Sequence, residues 1–192
     1  MGDASDAYEA SAAQFINARD PSSIGASTVE RWAKSIPNKA SLLELGCGTG
    51  YPITQKISKL DLQYYAVDSS PTLIKLFRAR FSSISTQCVR VQDFDYFDQK
   101  FDAVLAVGLI FLLTEEDQIN LISRISNVLN VHGQFLFSAP SQIVHWKDIC
   151  AGCECLSLGQ AKYEEILQEA GFRFLTTYMD EGKNYYYEAQ RI

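Results

Sequence analysis

Short apolar runs alternate with helix-length segments along most of this chain, and few folds accommodate that alternation. Residues 41–45 form an apolar run that ends at glycines, residues 52–60 read as a helix, and residues 62–67 read as a strand ending at Asp68. Residues 71–81 predict a helix with Pro71 in its first turn and Ser70 as its cap: a fixed φ suits that turn, and a hydroxyl can take a free amide. Residues 87–91 read as a strand. Residues 101–107 are apolar throughout, as expected for a strand buried on both faces of a parallel sheet. Residues 115–129 place Ile119, Leu121, Ile122, Ile125 and Val128 on one helical stripe. His132-Gly133 is a turn before a strand at 134–138, and residues 163–170 form a helix closed by Gly171.

Strands alternating with helices predict a doubly wound α/β sheet. Residues 173–179 and 184–190 flank a turn at Asp180-Glu181-Gly182-Lys183, and two strands with no helix between them must run antiparallel. The expected architecture is a mostly parallel seven-stranded sheet with one antiparallel strand near the C-terminus. Ahead of it, residues 7–18 carry Tyr8, Ala12, Phe15 and Ile16 at helical spacing. Asp20-Pro21-Ser22-Ser23 breaks that helix, and residues 28–34 predict a second one with Val29 and Trp32 on one face.

A chain of 192 residues fits one domain, and it can bury on the order of 70% of its unfolded surface without a metal or disulfide staple. The net charge of -6 argues against a general nucleic-acid binder, which needs a basic face. The longest apolar run, residues 103–113, falls well short of the roughly 18 residues of a membrane span. Met1 to Asp6 is acidic and polar, unlike a secretory leader, and Asp6 stands where a myristoylation site has Ser or Thr. The expectation is a cytoplasmic protein, monomeric by default, with no nucleic-acid or membrane partner. Five cysteines in a chain of this size read as free thiols.

The sharpest local signal is Glu44-Leu45-Gly46-Cys47-Gly48-Thr49-Gly50, which follows a strand and opens a helix. Alternate glycines allow a tight turn and close approach of a ligand, and helix amides behind them offer donors. The next strand ends at Asp68, 18 residues after Gly50, where a carboxylate can accept both hydroxyls of a ribose. The third glycine comes one residue early for a dinucleotide fingerprint, and Glu44 would repel a nearby anion. A nucleoside carrying an ammonium or sulfonium suits the loop better.

On these residues the chain resembles the class I S-adenosylmethionine-dependent methyltransferases. Residues 42–50 look like their first motif, and Tyr65-Ala66-Val67-Asp68-Ser69-Ser70-Pro71 like the second. Gln92-Asp93-Phe94, residues 101–108 and Gly133-Gln134-Phe135-Leu136-Phe137 look like the later ones. The resemblance implies S-adenosylmethionine as cofactor and S-adenosylhomocysteine as product. Residues 1–36 would then be a helical cap over the cofactor site and residues 37–192 the cofactor-binding domain, one structural unit overall. Gly46, Cys47 and Gly48 would line the methionine end, with Glu44 and Gly50 in the same loop. Asp68 would hold the ribose with Ser69 beside it, and Gln92, Asp93 and Phe94 would meet adenine. The Val107 carbonyl would face the cofactor's amino group. Arg19 would pair the cofactor carboxylate, a surface arginine being the alternative.

The acceptor leaves fewer marks. After the fourth strand stands Val107-Gly108-Leu109-Ile110-Phe111, without the Pro pair and polar acceptor of enzymes that methylate exocyclic base amines. Residues 107–113 offer no hard oxygen ligands, so no catalytic metal is expected. The expectation is transfer to an N, O or S nucleophile of a small, apolar or aromatic molecule; a protein or RNA acceptor, or a non-catalytic cofactor-binding module, are the alternatives. Tyr8, Phe111, Trp146 and Tyr185 are the expected acceptor contacts, and His145 the expected general base. Core packing is the alternative for Tyr8, Trp146 and Tyr185, and a hydrogen-bonded loop position for His145. Cys150, Cys153 and Cys155 read as free thiols, a redox-sensitive loop, or a site for a metal or metalloid such as arsenic.

Overall fold

The computed structural model describes residues 4–192; Met1, Gly2 and Asp3 of the expected cap lie outside them. The sheet strands are β1 (Ser41–Leu45), β2 (Gln63–Asp68), β3 (Ser85–Cys88), β4 (Phe101–Ala106), β5 (Leu129–Ser138), β8 (Phe172–Met179) and β9 (Tyr185–Arg191), and a separate pair comprises β6 (Ile143–Lys147) and β7 (Glu154–Leu158). The helices are α1 (Ala4–Ala10), α2 (Ala12–Arg19), α3 (Ala26–Ala33), α4 (Ile53–Ile57), α5 (Pro71–Arg80), α6 (Glu115–Val128) and α7 (Gln160–Glu169).

The seven-stranded sheet runs β3-β2-β1-β4-β5-β9-β8. Its first five strands are parallel, and β9 is antiparallel to both β5 and β8. This is the expected architecture. Strand alternation divides the core between two faces. Leu43, Leu45, Val104, Phe135 and Phe137 pack with Ile122, Ile125 and Leu167 on one face. Leu42, Ala66, Leu105 and Tyr186 pack with Trp32, Ile53 and Phe77 on the other. Each large side chain so buried contributes roughly 1.5–3 kcal/mol. Glu44 falls on the second face, a position that burial makes costly unless a ligand or hydrogen bonds use it.

The helix starts follow local chemistry. Pro71 begins α5, and the Ser70 hydroxyl accepts from the Leu73 amide at 3.1 Å. The Thr114 hydroxyl caps α6 by accepting from the Asp117 amide at 3.2 Å.

Several boundaries differ from the expectation. The helix expected at 7–18 is two, separated at Ser11, and the Glu9 carboxylate of α1 is held by Ser70 and Thr72 at the start of α5. β3 begins and ends earlier than 87–91 because its pairing with β2 stops at Asp68↔Cys88. The segment expected as a loop after β5 contains the β6–β7 hairpin. Its first strand is exposed on most of its length, so no apolar alternation marked it.

Candidate active site

One cavity of about 830 Å³ opens at the C-terminal ends of β1, β2 and β4, the edge where open α/β sheets bind ligands. Gly46, Cys47, Asp68, Ser69, Val107 and Gly108 line its sheet side. Residues of α1 and α2, among them Tyr8, Phe15 and Arg19, line the opposite side.

The glycine loop and the second strand are tied together. Asp68 Oδ2 accepts from the Gly48 amide at 2.8 Å, and Oδ1 accepts from the Ser70 amide at 2.9 Å. Burial raises the Asp68 carboxyl above its ordinary range, while these amides pull it back. Gly50 turns the loop away at φ +83, and any Cβ there would overlap the Phe81 ring. The Phe15 ring lies over Gly48. Gly46 and Cys47 therefore face the cavity, whereas Gly48 and Gly50 shape the loop from behind.

Glu44 is 3% exposed, and its Oε2 accepts from Thr54 Oγ1 and from the Tyr64 hydroxyl, both at 2.6 Å. Burial pushes it up to about 7; Asp68 adds to the shift and Arg19 opposes it. Arg19 lines the cavity and donates to the Ile24 carbonyl at 3.1 Å. Burial lowers its pKa, and Tyr186, Glu44, Asp180 and Glu181 raise it. A cation and an anion thus share one end of the cavity, an arrangement suited to an amino acid's two charges.

At the other end the expectation needs correction. Val91 and Gln92 line the cavity, but Asp93 and Phe94 do not. Phe94 is 1% exposed, with its ring 4.7 Å from Tyr96 and 5.4 Å from Phe97, so it belongs to the core. Arg124 shapes this turn by donating to the Val91 carbonyl at 3.0 Å and the Gln92 carbonyl at 2.6 Å.

The expected acceptor residues divide as well. Phe111 lines the cavity, with Trp146 behind it at 5.1 Å between ring centroids. Tyr8 lines it, and burial together with the negative charge of Asp148 raises its pKa. Tyr185 does not: its hydroxyl sits with Gln160 and Thr177, both at 3.0 Å, and Tyr186 faces the cavity instead. His145 is exposed on β6 and is absent from the lining, so the hairpin carries the expected base away from the cavity. All five cysteines are free; Cys153 lines the cavity, and burial pushes Cys155 up to about 12. Among the described residues no three His, Cys, Asp or Glu side chains converge as a metal cluster, and no helix is long and apolar enough to cross a membrane.

Residues 42–133 match the family model described as a methyltransferase domain. YqeM of Bacillus subtilis (strain 168), a protein named as a candidate methyltransferase, is 29% identical over 121 residues; the match covers 58% of this chain. The chain spans about half the length of that curated relative, 49%. Residues 42–133 are thus similar to a methyltransferase domain. Among solved structures, the chain is similar to the N-methyltransferase NodS from Bradyrhizobium japonicum WM9 in complex with S-adenosylhomocysteine: TM-score 0.73, 16% identity, 96% of this chain and 98% of that one. It is also similar to magnesium protoporphyrin IX methyltransferase from Synechocystis PCC 6803 with bound S-adenosylmethionine: TM-score 0.68, 16% identity, 87% of this chain and 78% of that one. At these identities the likeness is one of fold.

Sequence reasoning missed four residues that brace the elements around the cavity. Asp20 accepts from Thr49 Oγ1 and pairs with Arg80, each at 2.6 Å, which fastens the glycine loop to the end of α2. Glu9 fastens α1 to α5. Each bond joins residues far apart in the chain, and no local pattern announces them.

Proposed function

We propose that this chain transfers a methyl group from S-adenosylmethionine to a small apolar or aromatic molecule. The residues fit that cofactor. Asp68 offers a carboxylate for ribose hydroxyls, and Gly46 and Cys47 present backbone close to the ligand. Glu44 can take an ammonium and Arg19 a carboxylate. The single observation that carries the reading is that these opposite charges and Asp68 face one cavity. A dinucleotide fits less well: Arg19 is the one cation among the described lining residues, and Gly50 lies against Phe81, away from the cavity.

When bound, the cofactor supplies an electrophilic methyl on sulfonium. The chain's own contribution is alignment and exclusion of water, and orientation supplies at most roughly 7–11 kcal/mol. Asp68 fixes the nucleoside end, and Glu44 with Arg19 fixes the amino-acid end. Leu109, Phe111, Leu112 and Leu113 wall the remaining room with apolar surface. The magnesium protoporphyrin IX methyltransferase whose fold it shares is likewise named for a non-macromolecular acceptor.

The test is incubation with methyl-labelled S-adenosylmethionine and the low-molecular-weight fraction of a cell extract, alongside the macromolecular fraction. Label entering a small molecule is the expected result. Label entering protein or RNA alone contradicts the acceptor class. No transfer by protein that binds S-adenosylhomocysteine makes the chain a binding module.

A further inference from the structure

The room beside the cofactor positions has an apolar wall, the Tyr8 side chain and the Glu154 carboxylate, and no cation among the described residues of its lining. Phe111 backed by Trp146 forms the wall. Across from it, Tyr8 reaches into the cavity from α1, and the β6–β7 turn contributes Ala151, Gly152 and Cys153. Asp148 Oδ1 accepts from the Cys150 and Ala151 amides, at 2.9 and 2.7 Å, so the carboxylate is held in place by backbone. Glu154 completes this side. Burial and Asp148 both raise the Tyr8 pKa, keeping its hydroxyl protonated.

No cation among the described residues lines this end of the cavity. Among the described residues Arg19 is the one cation in the lining, and Tyr186, Glu44, Asp180 and Glu181 surround it at the other end. Lys147 and Arg90 lie outside the lining, paired with Glu154 at 3.6 Å and Asp6 at 3.7 Å. The helix starts beside the cavity, which could serve an anion, already hold protein oxygens. Ser70 and Glu9 take the first amides of α5, and Thr114 takes an amide of α6. A carboxylate or phosphate entering here would lose its hydration without gaining a counter-charge. An amine on an apolar body finds aromatic surface and oxygen acceptors.

We infer that the methyl acceptor is an apolar or aromatic amine, held between Phe111 and the side of the room that Tyr8 and Glu154 line, and that anionic molecules of the same shape are rejected. This rests on the proposed methyltransferase reading. The step balances: the neutral amine's lone pair forms the N–C bond, the C–S bond breaks with its electrons left on sulfur, and the extra N–H proton leaves to solvent. α1 and the hairpin close over the room from two sides, which favours a small molecule over a chain that must thread through.

The experiment is a thermal-shift screen of protein saturated with S-adenosylhomocysteine. The probes are shape-matched sets on one aromatic body, such as phenethylamine, 2-phenylethanol and 3-phenylpropanoate, and their indole and long-chain alkyl counterparts. Calorimetry follows on the hits. The expected result is that amines dominate the hits and bind at least tenfold tighter than the matched carboxylates. Glu154→Gln should cut that preference at least threefold. Hits that are mainly carboxylates or alcohols, or a screen in which no amine binds, overturn the inference. Failure of S-adenosylhomocysteine to bind in the first place would instead overturn the methyltransferase reading.

Discussion

The Gly48 amide donates to Asp68 Oδ2 at 2.8 Å, joining the loop after β1 to the end of β2. The glycine bend and the acid proposed to receive ribose hydroxyls are thus tied to each other. Asp68→Asn keeps the shape but removes the charge and turns an NH2 toward one of its donors. Losing a charge-assisted bond costs about 1.5–3 kcal/mol, or roughly a 10- to 150-fold loss of affinity for S-adenosylhomocysteine. Calorimetry on the folded variant checks this. Unchanged affinity would remove Asp68 from the site.

His145 pairs with Leu156 in the β6–β7 hairpin, and its side chain is exposed away from the cavity. His145→Ala should therefore leave turnover within about twofold of wild type, in contrast to the role its loop position suggested. A tenfold loss of turnover with unchanged cofactor affinity would restore it as the base.

The difference between these two residues shows where the sequence was legible. Asp68 lies on a parallel strand whose apolar pattern, length and distance from the glycines all agree, so its place follows from local rules. The same consistency placed the α5 cap at Ser70 and Pro71 and buried β4 on both faces. The hairpin had no such pattern. Ile143 is 77% exposed and Ile149 98%, so apolar residues there mark neither a core nor a period. Tyr185 and Tyr186 show a second limit. Alternation says that neighbours face opposite sides, but only the pairing Ser138↔Tyr186 decides which side meets the cavity. Phe94 was misplaced because packing against Tyr96 and Phe97 depends on a turn that Arg124 shapes from a distant helix.

Glu44 should write a pH dependence into stability. Its ordinary value of 4.5 is pushed up to about 7 in the fold. Between those values the folded chain holds more protons than the unfolded one, so stability falls as pH rises through that window. Below about 4.5 the contribution is fully present; above about 7 it is lost. Glu44→Gln removes this slope. Denaturant titrations should show the variant gaining on wild type by up to about 3 kcal/mol between pH 5 and pH 8. A difference that stays flat with pH would contradict the shift.

Glu9 holds α1 against α5 through Ser70, Thr72 Oγ1 at 2.6 Å and the Thr72 amide at 3.2 Å. α1 buries no residue of its own, so little else fastens that end. Glu9→Ala should speed hydrogen exchange of the α1 amides at least tenfold and leave the global unfolding midpoint within about 2 °C. Unchanged exchange would mean that the packing of Tyr8 against Phe15 suffices.

The central claim is that one cavity grips a sulfur nucleoside by its ribose and by both charges of its amino acid. Isothermal calorimetry of the folded protein with S-adenosylhomocysteine, and separately with NAD, tests it most directly. The account predicts saturable micromolar binding of the first and no measurable heat with the second. Binding of NAD alone, or of neither compound, would contradict it.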